Sequence, residues 1–65
     1  MTAAEVHAIR ARAGLTQSGL CVLLRISDKR TVRRWETGDV PVSGPASVVL
    51  EMLDRGEMPE RYRTA

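Results

Sequence analysis

The 65-residue chain has one cysteine, one histidine and no apolar run long enough to span a membrane, and each shortage removes a class of function. A lone Cys21 cannot close an internal disulfide, and with His7 as the only other soft ligand no zinc set can form. Without a basic leader followed by an apolar stretch, the chain is expected to be soluble and cytoplasmic, with no membrane partner. Clustered carboxylates, a nucleophile beside a base and a glycine-rich phosphate loop are all missing, so neither an enzyme nor a cofactor, metal or small-molecule ligand is expected. Repeats and low-complexity segments are absent too.

What is present is a local concentration of positive charge. The formal net charge is only +2, too small to drive wholesale binding to polyanions. Residues 25–34 nevertheless hold five basic side chains against one acidic, a surplus of +4 that leaves −2 for the rest. These residues fall within or beside Ser27, Asp28, Lys29, Arg30, Thr31, Val32, Arg33, Arg34, Trp35, Glu36, Thr37 and Gly38. Ser27 or Asp28 can cap a helix over residues 28–37 and Gly38 can end it, with Val32 and Trp35 one turn apart as its apolar seam. Arg30, Arg33, Arg34 and Thr37 then project outward, as on a helix presented to phosphates.

The remaining elements follow from caps and spacing. Thr2 and Glu5 form a capping box and Gly14 a terminator, giving a first helix over residues 3–13 with Val6, Ile9, Arg10 and Ala13 as its inward stripe. Arg10 lies on or beside the buried seam and therefore needs a partner; His7, a third of a turn off the stripe, reads as an exposed surface residue. Thr16 caps a second helix over residues 17–24 with Leu20, Cys21 and Leu24 inward, Cys21 filling a place where only a small side chain fits. Val22 and Leu23 point away from that seam, toward a surface that something else covers. Residues 25–27 connect to the basic helix, and so short a link makes the two helices cross steeply. Ser43 or Gly44 caps and Pro45 opens a last helix running to about Arg55, closed by Gly56, with Ala46, Val49, Leu50 and Leu53 as its core stripe. Val48 and Met52 form a second apolar line on its flank. Residues 36–60 carry six acidic side chains and one arginine, a half that DNA would repel. The reading is an all-α bundle of four helices over residues 1–56, with a tail over residues 57–65 that is too short for an independent element and packs on the domain or on a second subunit.

Gly14, Leu15, Thr16 and Gln17, then Leu20 and Cys21, Leu24, Ile26 and Ser27, and finally Thr31, Val32, Arg33, Arg34, Trp35, Glu36, Thr37 and Gly38 together resemble the Cro/repressor-type (XRE) helix-turn-helix family. The resemblance covers residues 5–55. It departs from the family at Arg25, where glycine is usual in the turn, at Cys21, where alanine is common, and in one residue inserted between Ile26 and Thr31, which leaves open which of Asp28, Lys29 and Arg30 takes each base-contacting position. The family implies a lambda-repressor-like bundle in which the basic helix enters the major groove of double-stranded DNA and Gln17, at the start of the supporting helix, approaches a phosphate.

On that footing Lys29, Arg30 and Arg34 are the candidates for base contacts. Arg30 is first, Arg34 second, and Lys29 leans toward the groove walls. Thr16, Gln17, Ser27, Thr31, Arg33 and Thr37 are the candidates for phosphate contacts. Glu36, four residues after Val32 and next to Trp35, is the expected partner of Arg10, a pairing the family also implies. Val48, Met52, Met58 and Tyr62 are candidates for a homodimer interface, since a small domain gains stability and a palindromic footprint by pairing. The resemblance implies a repressor that occupies a promoter inverted repeat and, lacking room for a ligand-sensing domain, autoregulates its operon, as phage and anti-CRISPR-operon regulators do. The other reading is an antitoxin-type protein-interaction module in which DNA binding is secondary.

Overall fold

Thr2 starts the first helix by the reciprocal bonds the sequence suggests: its Oγ1 accepts from the Glu5 N–H at 3.1 Å and its own N–H donates to Glu5 Oε1 at 3.0 Å. In the computed structural model, which describes residues 1–63 and side chains through Arg61, this helix, α1, spans Ala3–Arg12. It is followed by α2 (Gln17–Leu23), α3 (Thr31–Thr37), α4 (Gly44–Asp54) and a single turn, α5 (Glu60–Arg63). The described residues form no strand, and the fold is an all-α helix-turn-helix bundle.

The core is assembled from Val6 and Ile9 of α1, Leu20 and Cys21 of α2, Val32 and Trp35 of α3, and Leu50 of α4. The i, i+3 spacing of Val6 and Ile9, and of Val32 and Trp35, puts each pair on one face of its helix. α1 packs on both α3 and α4, and α2 packs on α3. The Cα radius of gyration is 10.6 Å, close to the roughly 11 Å of a closed domain this long, so one copy completes its own core. At the edge of the bundle the Arg12 guanidinium donates to both carboxylate oxygens of Asp54, at 2.9 and 3.0 Å, joining α1 to α4.

Several expectations are corrected. The inward stripe of α1 stops at Arg10, because Ala13 lies past the helix end and is exposed. Leu23 packs against the core, whereas Val22 stays 60% exposed. Of the two caps the sequence offers for α4, Ser43 takes the place, as expected, its Oγ accepting from the Ala46 N–H at 3.4 Å. The link between α2 and α3 covers residues 24–30, longer than expected, because α3 begins at Thr31. The tail gains the single turn α5 where no element was expected, and Met58 just before it is 9% exposed, in a hollow with Leu23, Leu24, Val49 and Met52.

Arg25 accounts for how α2 ends. Its φ of 58° is left-handed, and around it the Arg25 N–H donates to the Val22 carbonyl at 3.1 Å and the Ile26 N–H to the Cys21 carbonyl at 2.8 Å. This is the Schellman pattern. It recurs at Gly14 and Gly56, which carry φ of 71° and 70°, and α3 too ends on a left-handed glycine, Gly38, so an arginine occupies a position that at the other three helix ends is glycine.

Candidate nucleic-acid interface

The segment that presents α3 is a turn built by Asp28. Its Oδ1 accepts the backbone N–H of Arg30 at 2.9 Å, and its carbonyl accepts the N–H of Thr31 at 3.1 Å. An Asp side chain that bonds two residues ahead makes a local turn that competes with helix. Hence residues 28–30 stay outside α3, contrary to the helix expected from residue 28, and neither Ser27 nor Asp28 caps it. Arg30 takes the cap position with no side-chain cap bond. Beneath the turn, the Cys21 thiol donates weakly to the carbonyls of Lys29, at 3.6 Å, and Asp28, at 3.8 Å. This contact anchors the turn to α2 and explains a buried cysteine by packing.

With Val32 and Trp35 buried, Arg30, Arg33, Arg34 and Thr37 form an exposed stripe at i, i+3, i+4 and i+7. Lys29 and Ser27 are exposed beside it. Thr37 Oγ1 donates back to the Arg34 carbonyl at 3.1 Å. Thr31 is half-buried and lines an apolar hollow with Leu24, Ile26 and Trp35. Thr16 caps α2, accepting from the Gly19 N–H at 2.9 Å, and is exposed.

The stripe is not uniform in its electrostatics. Asp28 Oδ1 accepts from Arg30 Nε at 3.3 Å, and Oδ2 lies 3.9 Å from Arg34 Nη1. The backbone and side-chain hydrogen bonds from Arg30, with the charges of Arg30 and Arg34, hold the Asp28 carboxyl below its ordinary range. Among the described residues the side chains of Lys29 and Arg33 form no ion pair. Asp28, the one acidic residue in the basic stretch, was legible as a cap or as one of three residues for the base-contacting positions, and its bonds to Arg30 were not.

Behind α3 a polar network fixes its angle. Arg10 Nε donates to Glu36 Oε2, Arg10 Nη2 to Glu36 Oε1 at 3.1 Å, and Arg10 Nη1 to the Leu15 carbonyl at 2.9 Å. Gln17 Nε2 donates to Glu36 Oε1 at 3.2 Å. His7 Nδ1 stands 3.2 Å from both Glu36 Oε1 and Arg10 Nη2. A protonated Nδ1 donates to the carboxylate and an unprotonated one accepts from the guanidinium, so the two contacts are alternatives. Sequence spacing had given His7 no role. Burial alone raises the Glu36 pKa, but the hydrogen bonds from Arg10, Gln17 and His7 and the charge of Arg10 outweigh it and hold the group at about 2. All buried side-chain polar atoms among the described residues are satisfied.

A match to the helix-turn-helix domain family covers residues 3–61, nearly the whole chain. The chain belongs to that family. The domain of this helix-turn-helix protein is that of a DNA-binding regulator. Among curated proteins and solved structures nothing matches the chain significantly. No helix among the described residues is long and apolar enough to cross a membrane, and none of them form a group of three or more metal-ligating side chains.

Proposed function

We propose that the protein is a sequence-specific transcriptional repressor, acting in the cytoplasm, that occupies an inverted repeat in a promoter, its own operon's included. The observation that carries this is the stripe of Arg30, Arg33, Arg34 and Thr37 on the open face of α3, backed by a buried seam and braced by the Arg10–Glu36 pair. A rigid helix that projects arginines can place them against base edges in the major groove, where an arginine fork matches guanine O6 and N7.

In this reading Arg30 and Arg34 read bases, Lys29 and Arg33 meet phosphates, and Thr16, Ser27 and Thr37 supply neutral phosphate donors from exposed positions. Gln17 and Thr31 contribute through the backbone and through packing, since the Gln17 amide bonds Glu36 and Thr31 lines an apolar hollow. The acidic half suits this orientation: Glu51 and Asp54 line a hollow against α1 rather than α3. A homodimer paired along the flank of α4, where Val48 is 55% exposed and Met52 half-buried, would place two α3 helices on two half-sites. Met58 supports that flank from within its own chain, and the Tyr62 side chain lies outside the described residues.

The test is selection of bound duplexes from a random pool, followed by footprinting on the DNA upstream of the protein's own gene. A palindromic motif recovered from both supports autorepression. A pool that never converges overturns it and returns the domain to the interaction-module reading.

A further inference from the structure

We propose that Asp28 is a positioning residue that sets Arg30 for recognition of guanine and thereby determines specificity. This rests on the DNA-binding reading above. Arg30 is the most exposed cation with a described partner on this face, its side chain 70% exposed, and a long side chain free in solvent loses much rotamer freedom when it docks. Asp28 removes part of that loss. It takes the backbone N–H of Arg30 at 2.9 Å and the side-chain Nε at 3.3 Å with the same oxygen.

The choice of nitrogen is what matters. A guanidinium engages guanine O6 and N7 through two parallel donors. With Nε held by the carboxylate, the terminal pair Nη1 and Nη2 is left to meet the base end-on. Arg34 is held differently, through a terminal nitrogen and only at 3.9 Å, so Asp28 gives Arg34 no such orientation. The carboxylate also acts against indiscriminate binding, because a negative charge among the cations weakens attraction to every phosphate alike. One residue thus raises affinity for the right base and lowers affinity for the backbone.

Asp28→Asn keeps an oxygen for the Arg30 N–H and removes the charge. Binding of the wild type, Asp28→Asn, Arg30→Ala and the double variant would be measured at fixed salt, on the duplex selected from the random pool and on a scrambled duplex. The expected result is opposite movement: Asp28→Asn binds the selected duplex more weakly and the scrambled one more tightly, so that the ratio falls about tenfold, within the range set by one bidentate contact. In the Arg30→Ala background the same change no longer alters the ratio, because its route is through Arg30. Asp28→Ser, which also keeps a side-chain oxygen for the turn, serves if the asparagine variant fails to fold. A ratio unchanged by Asp28→Asn overturns the proposal, as does an equal fall on both duplexes or an undiminished effect without Arg30, which would mean that Asp28 contacts DNA itself. If the wild type selects and binds no duplex, the DNA-binding reading falls first and this proposal with it, an outcome distinct from the others.

Discussion

Gln17 Nε2 lies 3.2 Å from Glu36 Oε1, the same oxygen that accepts from Arg10 Nη2 at 3.1 Å. One carboxylate therefore ties the start of α2 and the last turn of α1 to the inner face of α3, the helix proposed to enter DNA. The Glu36 side chain is 8% exposed and that of Arg10 15%, so removing either charge strands the other where water cannot fully replace it. Glu36→Gln should cost about 3 kcal/mol, a large share of what a domain this small holds, and lower the midpoint by more than roughly 10 °C. Melting within a degree or two of wild type would show that the pair is not a structural requirement.

The same group fixes an acid limit. Its ordinary value is 4.5 and in the folded chain it is about 2, so the folded state favours the carboxylate. The contribution is complete above about pH 4.5 and is lost as pH falls toward 2. Glu5 and Asp28 are also lowered, by bonds from Thr2 and Arg30 respectively, but both are solvated and add little. Urea unfolding at pH 7 and pH 3 should show the wild type losing stability and Glu36→Gln losing less, the gap narrowing by about 1 to 2 kcal/mol. A gap independent of pH would assign the acid sensitivity elsewhere.

Helix faces were legible because their signals are local and periodic: Val6 with Ile9, Leu20 with Cys21, and Val32 with Trp35 each mark one side of a helix. The start of α3 was not. Ser27 and Asp28 are both good caps, and only the folded backbone shows Asp28 bonding Arg30 two residues ahead instead. The bonds of His7 and Gln17 to Glu36 were not legible for another reason. Their partner Glu36 lies 29 and 19 residues away, and whether a polar side chain on a helix flank turns outward or inward depends on a neighbouring helix that spacing does not locate. Arg30, Arg33, Arg34 and Thr37 were legible as a stripe, but the asymmetry between Arg30 and Arg34 depends on which guanidinium nitrogen the carboxylate meets.

Arg25 carries the one non-glycine left-handed φ among the described residues, 58°. That conformation costs an L side chain about 1 kcal/mol, and glycine adopts it freely. Arg25→Gly should stabilise the fold by about 0.5 to 1 kcal/mol and raise the midpoint by several degrees, with loss of the arginine's own interactions working against the gain. A lower midpoint would mean that those interactions exceed the backbone strain.

Val48 is 55% exposed on α4, while Met58 lines the hollow beside Met52 from within the chain. If copies pair along this flank, Val48→Asp should leave the midpoint of a dilute sample nearly unchanged, as surface substitutions do, and abolish dimers in sedimentation at micromolar concentration. A wild type that sediments as a monomer with and without DNA would show that the tail alone covers the line.

Arg30 and Arg33 share the exposed stripe but differ in surroundings: Arg30 is held by Asp28 through Nε, whereas Arg33 forms no ion pair among the described residues. A base contact and a phosphate contact leave different marks. Losing a bidentate arginine–guanine contact costs about 1 to 3 kcal/mol on the correct duplex alone, while losing a phosphate contact weakens all duplexes and lowers the salt slope by about one. Arg30→Ala should therefore collapse the ratio between selected and scrambled duplex, and Arg33→Ala should keep the ratio while flattening the dependence of log K on log salt. Neither position lies in the core, so folding should survive in both variants. If Arg30→Ala weakened both duplexes equally while Arg33→Ala changed the ratio, the two roles would be exchanged and the stripe would read bases from further along α3. If neither variant altered binding, the basic face of α3 would not be the surface that meets DNA.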